Sequence, residues 1–478
     1  MNSRLAGPAA LAIVLVHLSC QDQPTATRSR IGVTVAADVA PAQAAGRHLV
    51  LFTAEHVPVD FALRVSHLGG VVEAALDNIG VATITGLSDG AAAELASDPG
   101  VRNVERDEIT SLRADAEPQP DADQTSELRA AADGTVSPTT AQFYARQWNL
   151  RAVSAPEAWA AGYLGSRDVV VAILDTGIDY LHPDFVGLVD LEHSRSFVPE
   201  EVIPARYPGR LPISDLSYHG TAVASVVASN AQILAGLNRY VTFLAVKITD
   251  STFATSAGRI ITGIVYAVDQ GADVINISTG SQRDKSKNPG AVAAFERAAS
   301  YAFRKGAVVV SLPFNDGADL DHNGDIVRFP CEAAQVICVS ATGPTAAASV
   351  NGPWENVDAI APYSAFGRSA VSVAAPGGAG EVGQNRRMWV PCTTTPTQTT
   401  LAPGCLRNQL VVQPVGTSFA APHVSGLAAL LVSQLGHGNP ALIRARILQS
   451  ADDVGEPGTD PFYGKGRINV ARALGLAH

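Results

Sequence analysis

Long apolar runs are missing from this chain. Beyond its first twenty residues no stretch of about 18 uninterrupted apolar residues occurs, so no transmembrane helix is predicted there. Charge is scarce and leans negative: charged residues make up 17% of the sequence and the net charge is -11. Nucleic-acid binding needs a basic face that displaces counterions, so that partner class is set aside. Cysteine is sparse, five in 478 residues, and no close C-x-x-C pair exists, which disfavours a zinc site. Small and apolar residues are plentiful. Apolar residues form 46% of the chain and 42 residues are glycine, enough for a large buried core with tight turns and close backbone approaches. The length exceeds one compact core, so more than one folding unit is expected.

Residues 1–20 read as an export signal, with Arg4 as the positive start, Leu11 to Leu18 as the apolar run and Ser19-Cys20 as the small-residue exit. Leu18-Ser19-Cys20 before a polar tail also looks like a bacterial lipoprotein start, although His17 breaks the apolar pattern. The product is expected to be secreted, or held on the cell envelope through lipid on Cys20. Four cysteines remain, and an even number in an exported chain reads as two disulfides. Three pairings are open; the sequence-local ones, Cys331 with Cys338 and Cys392 with Cys405, are favoured.

Residues 47–110 carry a β-α-β-β-α-β pattern: strands near His48–Thr53, Gly70–Leu76, Val81–Thr85 and Val101–Glu105, and helices near Asp60–Leu68 and from Ser88 to Ala96. That order predicts a small ferredoxin-like α+β unit, two helices on one face of an antiparallel sheet. Residues 111–140 follow as a linker. Between Leu112 and Thr140 the sequence is Ala, Asp, Glu, Pro, Ser and Thr with almost no large apolar side chains, so it is read as exposed and as a natural processing site.

Residues 141–478 form the main body. Apolar strands at Val169–Leu174, Val241–Ile248, Val274–Ser278, Val308–Ser311 and Ile337–Ser340 alternate with helical stretches, including His219–Ala228 and Ile260–Gln270. Alternation of this kind predicts an α/β fold with a doubly wound, mostly parallel sheet, whose ligands collect at the carboxyl ends of the strands. Asp175 stands at one such end. His219 opens a run of small residues, His219-Gly220-Thr221-Ala222, and its imidazole suits a general base because its ordinary pKa of about 6.5 lies near working pH. Ser418, in Gly416-Thr417-Ser418-Phe419-Ala420-Ala421-Pro422-His423, starts an almost wholly apolar helix whose free N–H groups suit an oxyanion. Pro422 is expected in the first turn, where a missing N–H matters least. Taken singly, each residue has a plainer reading: a turn aspartate, an exposed histidine, an N-cap serine. Together they supply acid, base and nucleophile at three element boundaries, in the order Asp, His, Ser.

On these residues the chain resembles the subtilisin-like serine proteases, the subtilase family. The likeness runs from about Gln147 to Leu474 and includes Asp175-Thr176-Gly177-Ile178-Asp179 with His182-Pro183-Asp184, His219-Gly220-Thr221, Val274-Ile275-Asn276-Ile277-Ser278, and Gly416 to His423. It implies an endopeptidase working through an acyl-enzyme on Ser418, with His219 as base and Asp175 holding the imidazole. It also implies that residues 47–110 are an inhibitor-type propeptide of a self-processing precursor, that peptides or unfolded proteins are substrates, and that no cofactor is needed for chemistry. Asn315 matches the family's side-chain oxyanion donor. Ser278, Thr279 and Gly280 match one wall of the substrate cleft, with Leu312 and Pro313 opposite.

The chain departs from the family just before that asparagine, where relatives carry small residues and a glycine and this sequence has Leu312-Pro313-Phe314. Such bulk is expected to line the pocket for the residue preceding the cut and leaves the placing of Asn315 open, where losing one such donor costs about 100- to 1000-fold in turnover. Calcium is the one cofactor expectation. Asp319, Asp321, Asn323 and Asp325 alternate as oxygen ligands do, though position twelve is Pro330 and not Glu, and Asp184 is a second candidate by resemblance. Two rival functions follow from the residues: a peptide binder that does not cut, for which Leu312-Pro313-Phe314 is the sole support, and an ester or lipid hydrolase. The latter is opposed by the absence of G-x-S-x-G at the serine and by the chain order.

Overall fold

The computed structural model describes residues 33–35, 46–111, 137–380, 384–395, 405 and 409–476. The export signal with Cys20, and the part of the linker from 112 to 136, lie outside the described residues.

The body is built on seven strands, in the order Val373–Pro376, Ile337–Thr342, Val308–Ser311, Val274–Ile277, Gly165–Asp175, Tyr240–Lys247 and Arg195–Ser196. Every adjacent pair is parallel. Side chains alternate across a strand, so Val169, Val171 and Ile173 enter one core while Ala172 and Leu174 enter the other. The first core receives the helices His219–Val227 and Thr417–Leu435, and the second receives Ala257–Asp269 and Pro289–Arg304. The helix Thr417–Leu435 is buried from Thr417 through Val432, which explains why it carries apolar residues all round. The two disulfides join Cys331 to Cys338 and Cys392 to Cys405, as favoured from sequence.

The amino-terminal module has strands His48–Phe52, Val71–Leu76, Val81–Thr85 and Val101–Arg106 and helices Phe61–His67 and Asp89–Ala96, the second capped by the Ser88 hydroxyl. Its sheet is antiparallel throughout, and a short strand at Val33–Val35, not foreseen from sequence, adds to one edge. One sheet face covers the module's own helices through Val50, Phe52, Ile84 and Leu95. The other face, Leu49, Leu51, Leu76 and Val81, shares a core with Ile260, Ile264, Phe295 and Ala298 of the body.

That junction is also polar and directional. The Glu105 carboxylate accepts from the N–H groups of Gly290 and Ala291, at 2.6 and 2.9 Å, at the start of one body helix. Asp107 does the same for the next, accepting from Gly258 N–H at 2.9 Å and the Ser256 hydroxyl at 2.7 Å. Both carboxylates meet the positive ends of helix dipoles and their orphan donors. Arg297 returns the contact, donating to the carbonyls of Phe52 and Ile79 at 3.0 Å each. Past Asp107 the module ends in Thr110–Ser111, which pairs antiparallel with Ala254–Thr255 of the body.

Candidate active site

Asp175 ends its strand at the carboxyl edge of the sheet, and its Oδ1 meets His219 Nδ1 at 2.8 Å. Both side chains are buried, as is Ser418. The contact depends on two backbones nearly touching. A β-carbon on Gly220 would lie 2.1 Å from the Gly177 carbonyl oxygen, and Gly177 itself has φ +106. Only glycine fits at this crossing. Just ahead, Tyr218 takes φ +142, a region unfavourable to side-chain-bearing residues, which turns the chain into the helix at His219.

Asp215, which sequence reasoning missed, fastens this corner. It is fully buried, and its Oδ1 accepts from Thr176 Oγ1 and from the N–H groups of Ser217 and Tyr218, while Oδ2 accepts from Thr221 N–H and Oγ1. Thr176 Oγ1 in turn accepts from Gly220 N–H at 2.9 Å. The strand end carrying Asp175 and the helix start carrying His219 are thus tied through one carboxylate. Burial pushes the Asp215 carboxyl up, while nearby Lys247 and the Thr221 hydrogen bonds pull it down. Asp215 stands four residues before His219, and that acidic residue ahead of a helix start was the available signal.

Ser418 is the second residue of its helix, and the rings of His219 and Phe419 pack at 5.5 Å. Pro422 does not fall in the first turn as expected; the helix begins at Thr417, so the proline lies inside it. Its missing N–H leaves the carbonyl four residues earlier, that of Ser418, without its helical donor. The Ser278 hydroxyl supplies one instead, donating to Ser418 O at 2.8 Å. Ser278 is positioned by Asn276 Nδ2 at 2.9 Å, and Asn276 Oδ1 accepts from Ser425 Oγ at 2.8 Å. The run Val274–Ser278 therefore fixes the nucleophile helix from the neighbouring strand. Ser418 Oγ itself lies 3.4 Å from the Ser278 carbonyl oxygen. One turn further along the same helix, His423 is wholly buried between Asn149 and the Phe419 carbonyl, and burial pushes its imidazole down to about 4.

Asn315 is joined to the helix that carries Ser418. Its Oδ1 accepts from Thr417 N–H and Thr417 Oγ1, both at 2.8 Å, which turns Nδ2 to the opposite side of the amide. Arg328, also missed from sequence, braces the segment, pairing with both Asp316 oxygens at 2.7 and 2.6 Å and donating to the Pro313 carbonyl at 2.9 Å. Leu312 and Pro313 are buried, and Phe314 is the residue that faces Gly280 across the cleft. Ser278, Thr279 and Gly280 follow the strand Val274–Ile277 on the other side.

Of the residues expected to hold calcium, Asp184, Asp319 and Asp321 bond to the protein's own donors. Asp184 turns both oxygens to the N–H groups of Gln232, Ile233 and Leu234 at 2.8 to 3.0 Å. Asp321 accepts from Arg368 and Ser369, and Asp319 from Asp321 N–H and His322 Nδ1. These carboxylates cap turns and neighbouring backbone, and Asp325 takes part through its carbonyl, which accepts from Lys285 N–H at 2.9 Å. Among the described residues no three His, Cys, Asp or Glu side chains converge as a metal site.

The profile of the Subtilase family matches residues 166–466. Thermitase of Thermoactinomyces vulgaris is 31% identical over 340 residues, covering 71% of this chain and 99% of its own length. Subtilisin amylosacchariticus of Bacillus subtilis is 28% identical over 412 residues, 86% of this chain and 84% of its own. Among solved structures, the epidermin leader peptide processing serine protease of Staphylococcus aureus superposes with a TM-score of 0.68 over 90% of this chain and 98% of that one, at 20% identity, a likeness of fold.

Proposed function

Because this chain belongs to the subtilase family of serine peptidases, we propose that it is an endopeptidase acting through Ser418, His219 and Asp175, made as an exported, self-inhibited precursor. Peptides are the substrates of the family and no cofactor takes part in its chemistry.

The observation that carries the assignment is the 2.8 Å contact between Asp175 and His219 Nδ1, with the imidazole lying against the residue that follows Ser418. A carboxylate on Nδ1 fixes the tautomer whose Nε2 accepts a proton. As Ser418 Oγ attacks a peptide carbonyl, His219 takes its proton, and the carbonyl oxygen becomes an oxyanion. Asn315 Nδ2 and the N–H groups opening the helix are the donors for that charge. His219 then passes the proton to the leaving amine, and water, deprotonated by the same imidazole, releases the acyl group.

The module at residues 47–110 is the inhibitor in this reading. What supports it is Thr110–Ser111 pairing with Ala254–Thr255, one residue from Phe253, whose ring packs 5.0 Å from that of His219. A strand added to a cleft edge occupies it as a substrate would. Cleavage in the following linker separates module from body, and two disulfides suit an oxidising compartment outside the cytoplasm. Expression of the precursor beside Ser418→Ala tests the reading. Wild type should shorten and label with a fluorophosphonate, and the variant should do neither; two full-length, unlabelled products would refute it.

A further inference from the structure

We propose that Phe314 fills the pocket beside Ser418 and restricts cleavage to bonds preceded by a small residue, glycine, alanine or serine; this rests on the peptidase reading above. Val274–Ile277 and Val308–Ser311 are adjacent parallel strands, and the chain leaves their carboxyl ends as two diverging segments, Ser278–Gly280 and Leu312–Asn315. The crevice between such strand ends is where an open α/β sheet holds its ligand. Both segments touch the nucleophile helix, Ser278 through Ser418 O and Asn315 through Thr417. A carbonyl carbon on Ser418 with its oxygen at Asn315 therefore directs the side chain of the same residue into that crevice.

The crevice is already occupied by the protein. A β-carbon built on Gly280 would come within 2.8 Å of the Phe314 ring tip, so the ring spans from one wall to the other. The ring is held there from its far side by the Arg328 guanidinium, 5.3 Å from the ring centroid. Arg328 is itself locked to Asp316 and to the Pro313 carbonyl, and the Phe314 carbonyl accepts from Ala365 N–H at 3.2 Å. The backbone of Phe314 adopts φ +81, which glycine takes freely and phenylalanine does not, so the placement is maintained against local preference. A rotation that cleared the pocket would have to break the stack on Arg328. The chain's own linker suits such a pocket: residues 112–136 contain no Phe, Tyr, Trp or Met but six alanines and Gly134, so a small residue is always near a cut made there.

The test uses the full chain after it has been allowed to process itself, and three serine-directed probes: a small fluorophosphonate, and matched peptidyl phosphonates ending in alanine or phenylalanine. Wild type should react with the alanyl probe at least about tenfold faster than with the phenylalanyl one, the scale of discrimination a filled hydrophobic pocket gives. Phe314→Gly, which suits the local φ, should equalise or invert that ratio. Fluorophosphonate labelling with wild-type rates equal for the two peptidyl probes, or a Phe314→Gly ratio unchanged from wild type, overturns the pocket assignment alone. Failure of the fluorophosphonate to label Ser418 overturns the peptidase reading and this one with it.

Discussion

The two flanks of the cleft are held together in different ways. On the base side, Asp175-Thr176-Gly177 and His219-Gly220-Thr221 meet backbone against backbone, joined directly through Gly220 N–H on Thr176 Oγ1 and indirectly through the Asp215 carboxylate. On the pocket side, Leu312 to Asp316 carries bulky side chains and is braced by one arginine from another strand. The first arrangement leaves no space for variation, because any added atom strikes a peptide group. The second is a side-chain device, so its shape can change while the chain path is kept. On the proposed reading, the chemistry sits where the backbone is tight, and selectivity where side chains do the packing.

The sharpest way to break the first flank is Gly220→Ala. Its methyl would sit 2.1 Å from the Gly177 carbonyl oxygen, and the expected loss is about 4 kcal/mol or more, read as failure to accumulate soluble protein or as a collapsed urea midpoint. Asn315→Ala addresses the point where the flanks join. It should lower kcat by about 100- to 1000-fold with KM little changed, since an oxyanion donor acts only in the transition state.

The next effect is a pH dependence within the helix that carries Ser418. The buried His423 titrates at about 4 when folded against 6.5 when free. Its neutral form is the one the fold accommodates, so its contribution is complete above pH 6.5 and is lost as pH falls toward 4. The linkage amounts to about 3 kcal/mol at most. Urea unfolding at pH 7.5 and 4.5 should show wild type losing more stability than His423→Gln; parallel losses would remove the imidazole as the cause. The smallest effect belongs to the pocket flank. Arg328→Lys keeps the charge but loses the fork that grips Asp316, and because Asp316 is half exposed the expected change is about 1 kcal/mol. A urea midpoint shifted as far as that of Gly220→Ala would erase the contrast between the flanks.

The same contrast explains what the sequence made legible. Asp175, His219 and Ser418 stand at the ends of strongly patterned elements, so their convergence followed from the parallel sheet. The five central strands were readable from apolar runs, but Arg195–Ser196 is only two residues long and Val373-Ala374-Ala375-Pro376 lacks the run of β-branched residues that marked the others. Pro422 was misplaced because a helix start is a matter of backbone geometry, and Thr417 offers no pattern that separates cap from first turn. Arg328 was invisible for another reason: it acts on residues 12 to 15 positions earlier through the pairing of Ser281–Asp284 with Ile326–Phe329, a register no local motif encodes. The acidic run at Asp319 to Asp325 was ambiguous in the sequence because alternating acidic residues serve equally well to cap turns, as Asp319 and Asp321 do.

The junction between module and body carries a consequence for the processing proposed above. Leu49, Leu51, Leu76 and Val81 complete an apolar layer that the body's helices share, and Glu105 and Asp107 finish the first turns of two of those helices. Were the module to depart as proposed, oily flank and bare amide groups would face solvent, and the liberated body would be a less stable object than the full chain. Its endurance then rests on the height of the barrier to opening, and a body denatured alone should regain its shape slowly unless the detached module is returned as a mould.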